Sequence, residues 1–212
     1  MQQQTVAGLA LKEFMAKESK VPDSKEQSLH CDTPCIELKN VSLCIDGQDI
    51  LSDINVSIPY GKKIGIVGET GSGKSILLKT LVRIRDITGG EITIDGHDIK
   101  EFGLENLRNM YSYVFQDVFL FSGDIRSNIL LREEGISDEE VMEACRYVNA
   151  DSFINKLEAG LDDVVQERGN NFSAGQRQLL SFARTIIHKP AVMILDEATA
   201  NIDTETELLI QD

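Results

Sequence analysis

Residues 64–75 constrain what this chain can fold into more than any other stretch of its 212 residues. An apolar run leads into a glycine-rich turn, which ends in Gly-Lys-Ser at the start of a leucine-rich segment. The run predicts a strand, a loop and a helix in that order, and the pattern G-x-x-x-x-G-K-[ST] is typical of a phosphate-binding P-loop. Glycines let backbone N–H groups approach phosphate oxygens where a Cβ atom would obstruct them, and the helix N-terminus adds donors. The stretch therefore predicts a nucleotide site.

The P-loop pattern assigns a role to each of its positions. Lys74 is expected to reach the β- and γ-phosphates, and the Ser75 hydroxyl is expected to hold Mg²⁺. A glycine turn with an unrelated lysine is the alternative, and the strand before it and the helix after it disfavour that alternative. The candidate phosphate-binding residues are Gly68, Glu69, Thr70, Gly71, Ser72, Gly73, Lys74 and Ser75.

Charge and composition narrow the possible partners. The formal net charge of −14 argues against a nucleic-acid partner, because a phosphate backbone is bound through clusters of Lys and Arg. No apolar run approaches the roughly 18 residues that a membrane span needs. Cys31 and Cys35 have no second pair of ligands downstream, so we expect reduced thiols and no zinc site.

The part of the chain before the P-loop divides into three segments. Residues 1–19 place apolar side chains at helical spacing and predict a short amphipathic helix. Residues 20–34 are polar, contain two prolines and predict a linker. Alternating apolar residues over 36–58 predict two or three antiparallel strands, with a hairpin turn at Asp46 and Gly47.

The part after the P-loop strand combines helices and strands. A helix over residues 75–84 and a hairpin around Asp95 and Gly96 come before a buried strand at 111–115. The later patterns predict a helix over 137–148 with Ser137 and Glu140 as a capping box, a helix capped by Asp151, and a helix after Ser173. They also predict a strand at 191–195 buried on both faces and the start of a helix at 204–212.

Two acidic residues follow the apolar strand near the C-terminal end. Asp196 is expected to bind Mg²⁺, directly or through water, opposite the Ser75 hydroxyl. Glu197 comes next and is expected to orient or deprotonate an attacking water. The alternative is a pair of acids that ends a strand in solvent, and the P-loop in the same chain disfavours it.

Residues 171–178, Asn-Phe-Ser-Ala-Gly-Gln-Arg-Gln, form a third motif. Ser173 lies at a predicted helix N-terminus, and with Gly175 it presents a hydroxyl and backbone donors to an anion. The alternative is that Ser173 only caps the helix and binds no anion.

The order of the three motifs points to one family. Ser173 follows Lys74 by 99 residues (173 − 74) and precedes Asp196. The third motif resembles the Leu-Ser-Gly-Gly-Gln signature of ATP-binding cassette (ABC) proteins, with Phe172 and Ala174 as conservative departures. DNA-repair ATPases of the structural-maintenance type separate these motifs by a very long coiled coil, for which 99 residues leave no room. Translation-factor ATPases carry two cassettes in tandem, and this chain has one.

The resemblance covers nearly all of residues 36–212 and implies further roles. Gln116 is similar to the Q-loop glutamine, which in the family contacts Mg²⁺ and relays the nucleotide state to the membrane domain. Residues 167–169 resemble the motif that precedes the signature in exporters, and residues 200–203 resemble the D-loop. The resemblance also implies that three signature residues bind the ATP of an opposing domain: Ser173, Gly175 and Gln176.

The family's fold is α/β, with a P-loop NTPase (RecA-like) core, an antiparallel β subdomain and an inserted α-helical subdomain. The resemblance places the ATP-binding domain at residues 36–212, with its C-terminal end missing, and the helical subdomain at about 118–188. Residues 1–35 would be the connector helix and linker that leave the last membrane helix.

The resemblance implies the ATP-binding and ATP-hydrolysing motor domain of an ABC exporter. Lys74, Glu197 and Gln116 would be catalytic, and Ser75, Gln116 and Asp196 would hold Mg²⁺. Two such domains, identical or different, would pair head to tail on a transmembrane transporter domain, at the cytoplasmic face of a membrane such as the plasma membrane.

Two features depart from the family's pattern. The position of the adenine-stacking aromatic matches Ile45, so we expect weaker adenine binding. The family's switch histidine lies further beyond Glu197 than this chain extends. The alternative function is therefore a non-hydrolysing nucleotide-binding fragment or a regulatory ABC protein.

Overall fold

The computed structural model describes residues 21–23, 33–115, 117–131 and 133–196. These residues belong to two compact units, of which the first contains 21–23 and 35–104 and the second contains 33–34 and 105–196. The helices predicted over 1–19 and 204–212 lie outside the described residues.

The first unit is built on a four-stranded antiparallel sheet. Its strands are β1 (Ile36–Ile45), β2 (Gln48–Ile58), β3 (Gly89–Ile94) and β4 (His97–Asp98), in the order β2-β1-β3-β4. The predicted turn between β1 and β2 is confirmed, since Asp46 and Gly47 have φ of 50° and 80°. Two consecutive positive φ values are what a two-residue hairpin of type I′ requires.

Two alternating stretches of β1, separated by an irregularity between Leu38 and Val41, build the core of the first unit. Ile36, Leu38, Val41 and Leu43 are at most 3% exposed. Ile92 and Ile94 of the neighbouring β3 are completely buried beside them. Helix α1 (Lys74–Leu81) follows the P-loop and ends before Arg83, whose positive φ of 48° cannot continue a helix.

The second unit is mainly helical. Its elements are α2 (Leu104–Asn109), which starts at the boundary between the units, then β5 (Tyr111–Val114), β6 (Gly123–Asp124), α3 (Ile125–Leu130), α4 (Asp138–Tyr147), α5 (Asp151–Ile154), β7 (Val164–Val165), α6 (Ala174–His188) and β8 (Val192–Leu195), with 3-10 turns at Gly160–Asp162 and Glu167–Gly169. Strands β5 and β8 are parallel, whereas β6 and β7 form a short antiparallel pair.

Capping boxes start α3, α4 and α6 of the second unit. The side chain of Ser137 accepts the N–H of Glu140, and the Glu140 carboxylate accepts the N–H of Ser137, as predicted. Helix α6 begins in the same way at Ser173. The prediction that Asp151 caps a helix is wrong, because Asp151 is the first helical residue and Ala150 holds the cap position. There its carboxylate lies in the first turn of α5, where the helix dipole favours it.

One apolar cluster fills the second unit. It joins β5 with the inward faces of α3, α4 and α6, and its completely buried members include Val114, Ile125, Ile129, Val141, Leu180 and Ala183. No helix of the described residues combines the length and the apolar character that crossing a membrane requires.

One strand prediction is wrong in this structure, and another is right in position but wrong about burial. Residues 64–67 form no strand, and the side chain of Val67 is 92% exposed. Strand β8 pairs, among the described residues, with β5 alone, and its Met193 is 42% exposed instead of buried on both faces. An apolar sequence becomes a strand only where a neighbouring backbone accepts its hydrogen bonds, and no strand of the described residues pairs with 64–67.

Candidate functional site

The P-loop turns through two glycines with positive φ. Gly71 has φ of 83° and Gly73, the N-cap of α1, has φ of 91°. A Cβ atom at Gly73 would lie 3.1 Å from the carbonyl oxygen of Ile50, so the close approach of β2 adds a second reason for glycine there. The N–H of Ser72 donates to the carbonyl oxygen of Glu69 at 3.1 Å and closes the turn.

Lys74 lies across the mouth of this loop. Its ammonium donates to the carbonyl oxygens of Gly68 and Glu69 at 2.8 and 2.9 Å. Ser75 is the next residue of α1 and is partly buried in its first turn. The predicted phosphate-binding residues are therefore the loop at 68–73 and the first two residues of α1, Lys74 and Ser75, with the Lys74 ammonium bound to carbonyl oxygens of the loop.

The predicted signature residues lie in the second unit. Ser173 is exposed and caps α6, its hydroxyl accepting the N–H of Gln176 at 3.1 Å. The side-chain oxygen of Gln176 accepts the N–H of Ser173 at 2.9 Å, and Gly175 lies in the first turn between them. This start of a 15-residue helix presents a positive dipole end to solvent.

Asp196 comes directly after β8 and is only 8% exposed. Its N–H donates to the carbonyl oxygen of Val114 at 3.1 Å. Its carboxylate accepts a hydrogen bond of 2.8 Å from the phenol of Tyr113. Glu197 and Gln116, the other predicted catalytic residues, lie outside the described residues.

Tyr113 belongs to this site and was not among the residues predicted from the sequence. Burial in the first place, and then the hydrogen bond and the charge of Asp196, raise the pKa of its phenol above the ordinary value. The phenol is therefore protonated at neutral pH and donates to the carboxylate. The two strands were predicted from their apolar runs, but nothing in the sequence sets the register that brings Tyr113 to Asp196.

A cavity of about 230 Å³ lies beside Tyr113 in the second unit. Arg184 is part of its lining, donates from Nε to the carbonyl oxygen of Asn128, and has a pKa lowered by burial. At its rim the rings of Phe119 and Phe121 are 51% and 56% exposed and meet edge to face, with centroids 5.1 Å apart.

Comparison with known proteins identifies the family. The model of the ABC transporter family matches residues 51–200. The chain belongs to this family. Its fold is accordingly the mixed α/β fold of P-loop NTPases, and ATP hydrolysis is the general activity of the family. The resemblance drawn from the three sequence motifs is confirmed.

Individual relatives are similar over most of this chain. An uncharacterized ABC transporter ATP-binding protein of Bacillus subtilis, YknV, is 51% identical over 161 residues, which are 76% of this chain and 27% of that protein. The ATP-dependent lipid A-core flippase of Escherichia coli is 44% identical over 179 residues, which are 83% of this chain and 31% of the flippase. The chain thus spans less than a third of the length of these relatives.

A solved structure shares the fold. The structure of a bacterial Atm1-family ABC exporter with ATP bound superposes with a TM-score of 0.90 at 31% sequence identity. The match covers 99% of this chain and 37% of the exporter chain.

Proposed function

We propose that this chain is the ATP-binding and ATP-hydrolysing motor domain of an ABC exporter. The observation that carries the proposal is the Lys74 ammonium, held across a P-loop by two of the loop's own carbonyl oxygens in a chain of the ABC family. A lysine in this position would meet the β- and γ-phosphates of a nucleotide as a point charge, and backbone N–H groups of residues 68–73 would donate to them.

The oxygen donors of the chain suit Mg²⁺. The Asp196 carboxylate is buried, and carboxylate and hydroxyl oxygens such as those of Asp196 and Ser75 are the ligands that this hard cation prefers. The amide oxygen of Gln116 is the third donor that we propose. When bound, Mg²⁺ neutralises charge on the β- and γ-phosphates during phosphoryl transfer.

The catalytic groups that we propose are Lys74, Glu197 and Gln116. Lys74 stabilises the charge that develops on the transferred phosphoryl group, because a fixed cation outside bulk water interacts strongly with it. Glu197 orients or deprotonates the attacking water. Gln116 links the state of the nucleotide to the membrane domain.

A second ABC domain is the partner that the signature suggests. Ser173 is exposed at the N-terminus of α6, where hydroxyl and backbone donors suit an anion outside this chain. Ser173, Gly175 and Gln176 would thus bind ATP held by the P-loop of the opposing domain, in a head-to-tail dimer of identical or different chains.

A transmembrane transporter domain is the other partner that we propose. The exposed rings of Phe119 and Phe121 support a protein contact, since neighbouring exposed aromatic side chains are common at interfaces. The motor would then lie at the cytoplasmic face of a membrane.

In the arrangement proposed, residues 1–35 connect to the membrane domain, and 36–212 form a RecA-like core with an antiparallel β subdomain and a helical subdomain at about 118–188.

The substitution Lys74→Ala tests this function. We expect loss of MgATP binding by calorimetry and loss of phosphate release, because the loop loses the cation that faces the phosphates. Lys79→Ala is the matched control, since Lys79 lies in the last turn of the same helix. Unchanged MgATP affinity in Lys74→Ala, or an equal loss in both variants, would contradict the proposal.

A further inference from the structure

We propose that Tyr113 is a positioning residue for Asp196, holding the carboxylate in one rotation at the end of β8 and so setting the affinity of the site for Mg²⁺. The inference rests on the proposed magnesium role of Asp196. Tyr113 is not itself a ligand in this proposal and acts through the carboxylate.

The register of the two strands places the pair together. Tyr113 of β5 lies opposite Ile194 of β8, and partners in a parallel ladder point to the same face. Asp196 is two residues beyond Ile194 and so returns to that face. The backbone bond from the Asp196 N–H to Val114 extends the ladder by one step and fixes where the carboxylate begins.

The ring of Tyr113 is itself held in place. Phe115, two residues along on the same face, stacks on it with ring centroids 4.3 Å apart and planes tilted by 30°. The phenol oxygen is therefore presented to Asp196 by a supported ring and not by a mobile side chain. A supported donor restricts the carboxylate more than a flexible one would.

Because Asp196 is buried, its hydrogen bond with Tyr113 affects how tightly the carboxylate binds Mg²⁺. Asp196 is 8% exposed, so water cannot easily replace the phenol at the carboxylate oxygen that it occupies. Without the phenol, the carboxylate would rotate toward another donor or leave an oxygen unsatisfied. Either change would lower the affinity of the carboxylate for Mg²⁺.

The strand offers a matched control. Tyr111 belongs to β5 as well, is 8% exposed, and has a phenol oxygen with no hydrogen-bond partner among the described residues. Tyr111→Phe therefore removes the same hydroxyl from the same strand without touching Asp196. A merely structural effect of losing a hydroxyl from β5 would affect both variants.

The measurement is the gain in nucleotide affinity that Mg²⁺ provides. Calorimetry gives the dissociation constant of a non-hydrolysable ATP analogue with Mg²⁺ and with EDTA. The EDTA value divided by the Mg²⁺ value isolates the metal's contribution. We expect Tyr113→Phe to lower this ratio about tenfold, the lower end of the change caused by losing a partner of a metal ligand, while the dissociation constant in EDTA is unchanged. Tyr111→Phe should leave both quantities at the wild-type values.

Two further variants separate this inference from the proposed function. Asp196→Asn should lower the ratio at least as much as Tyr113→Phe, and the double variant should equal Asp196→Asn alone, because Tyr113 acts through the carboxylate. An unchanged ratio in Tyr113→Phe alongside a lowered ratio in Asp196→Asn overturns the inference and leaves the function. An unchanged ratio in Asp196→Asn overturns the magnesium role of Asp196 and the inference with it.

Discussion

Cys145 illustrates how burial alone controls the chemistry of a residue. It lies in α4, is completely buried in the apolar cluster of the second unit, and has a pKa raised to about 12, mainly by desolvation and further by the charge of Asp151. The thiolate is the nucleophilic form of cysteine, and an ordinary thiol is about half ionised at pH 8.5. In the folded protein the thiolate of Cys145 is rarer by about three orders of magnitude at that pH.

We predict that iodoacetamide leaves Cys145 unmodified in the native protein at pH values up to about 9, where ordinary thiols react. Cys35 and Cys44 are partly exposed and serve as internal controls that should be alkylated under the same conditions. Peptide mapping by mass spectrometry measures each site, and denaturant should make Cys145 react like the others. Native alkylation of Cys145 as fast as Cys44 would contradict the prediction.

At the scale of an element, Asn128 fixes the segment that leads into α3. Its side-chain oxygen accepts the N–H of Phe121 at 2.8 Å, and its amide nitrogen donates to the carbonyl oxygens of Phe121 and Asp124 at 2.8 and 2.9 Å. The side chain is 2% exposed, so water cannot take over these bonds.

We predict that Asn128→Ala lowers the free energy of unfolding by about 1–3 kcal/mol, because the backbone groups of residues 121 and 124 lose partners that burial prevents water from replacing. The midpoint of urea denaturation measures the change. Asn109→Ala, at an exposed position in the last turn of α2, is the control and should be close to neutral. An equal effect of both substitutions would argue against this role of Asn128.

The helix starts at Ser137 and Ser173 and the hairpin at Asp46 and Gly47 were predictable from the sequence because neighbours along the chain decide them. The capping box of Ser137 and Glu140, and the turn at Asp46 and Gly47, each involve residues at most three apart. The short pair β6 and β7 gave no comparable signal, since its two-residue strands lie far apart in the sequence.

The candidate site was predictable in its loop and not in its strands. Glycine geometry and the lysine at the helix start follow from the local pattern of residues 68–75. The contact between Tyr113 and Asp196 joins residues 83 apart and depends on the register of β5 and β8, which no local pattern fixes. For the same reason an apolar sequence at 64–67 predicted a strand where the structure has none.

At the scale of the whole molecule, salt has two opposing effects on the stability of the folded protein. Thirty-five acidic residues against 21 basic ones give a formal net charge of −14, whose self-repulsion destabilises the compact state. Salt also weakens favourable pairs such as Arg126 with Asp138 and Asp162, and Lys39 with Glu37. Because exposed pairs of this kind contribute only about 0–1 kcal/mol each, we expect relief of the general repulsion to be the larger effect.

We predict that the unfolding temperature rises as ionic strength increases from about 0.01 M to about 0.15 M, where the Debye length falls from about 30 to 8 Å. Differential scanning calorimetry without nucleotide measures the change. A variant with Glu143→Lys and Glu158→Lys, both at exposed positions, reduces the size of the net charge from −14 to −10. Its unfolding temperature should depend less on salt. Repulsion grows with the square of a uniform charge. The slope of unfolding temperature against ionic strength should therefore fall to about half (100/196) of the wild-type value. A falling unfolding temperature, or equal slopes in the two proteins, would show that local pairs outweigh the net charge.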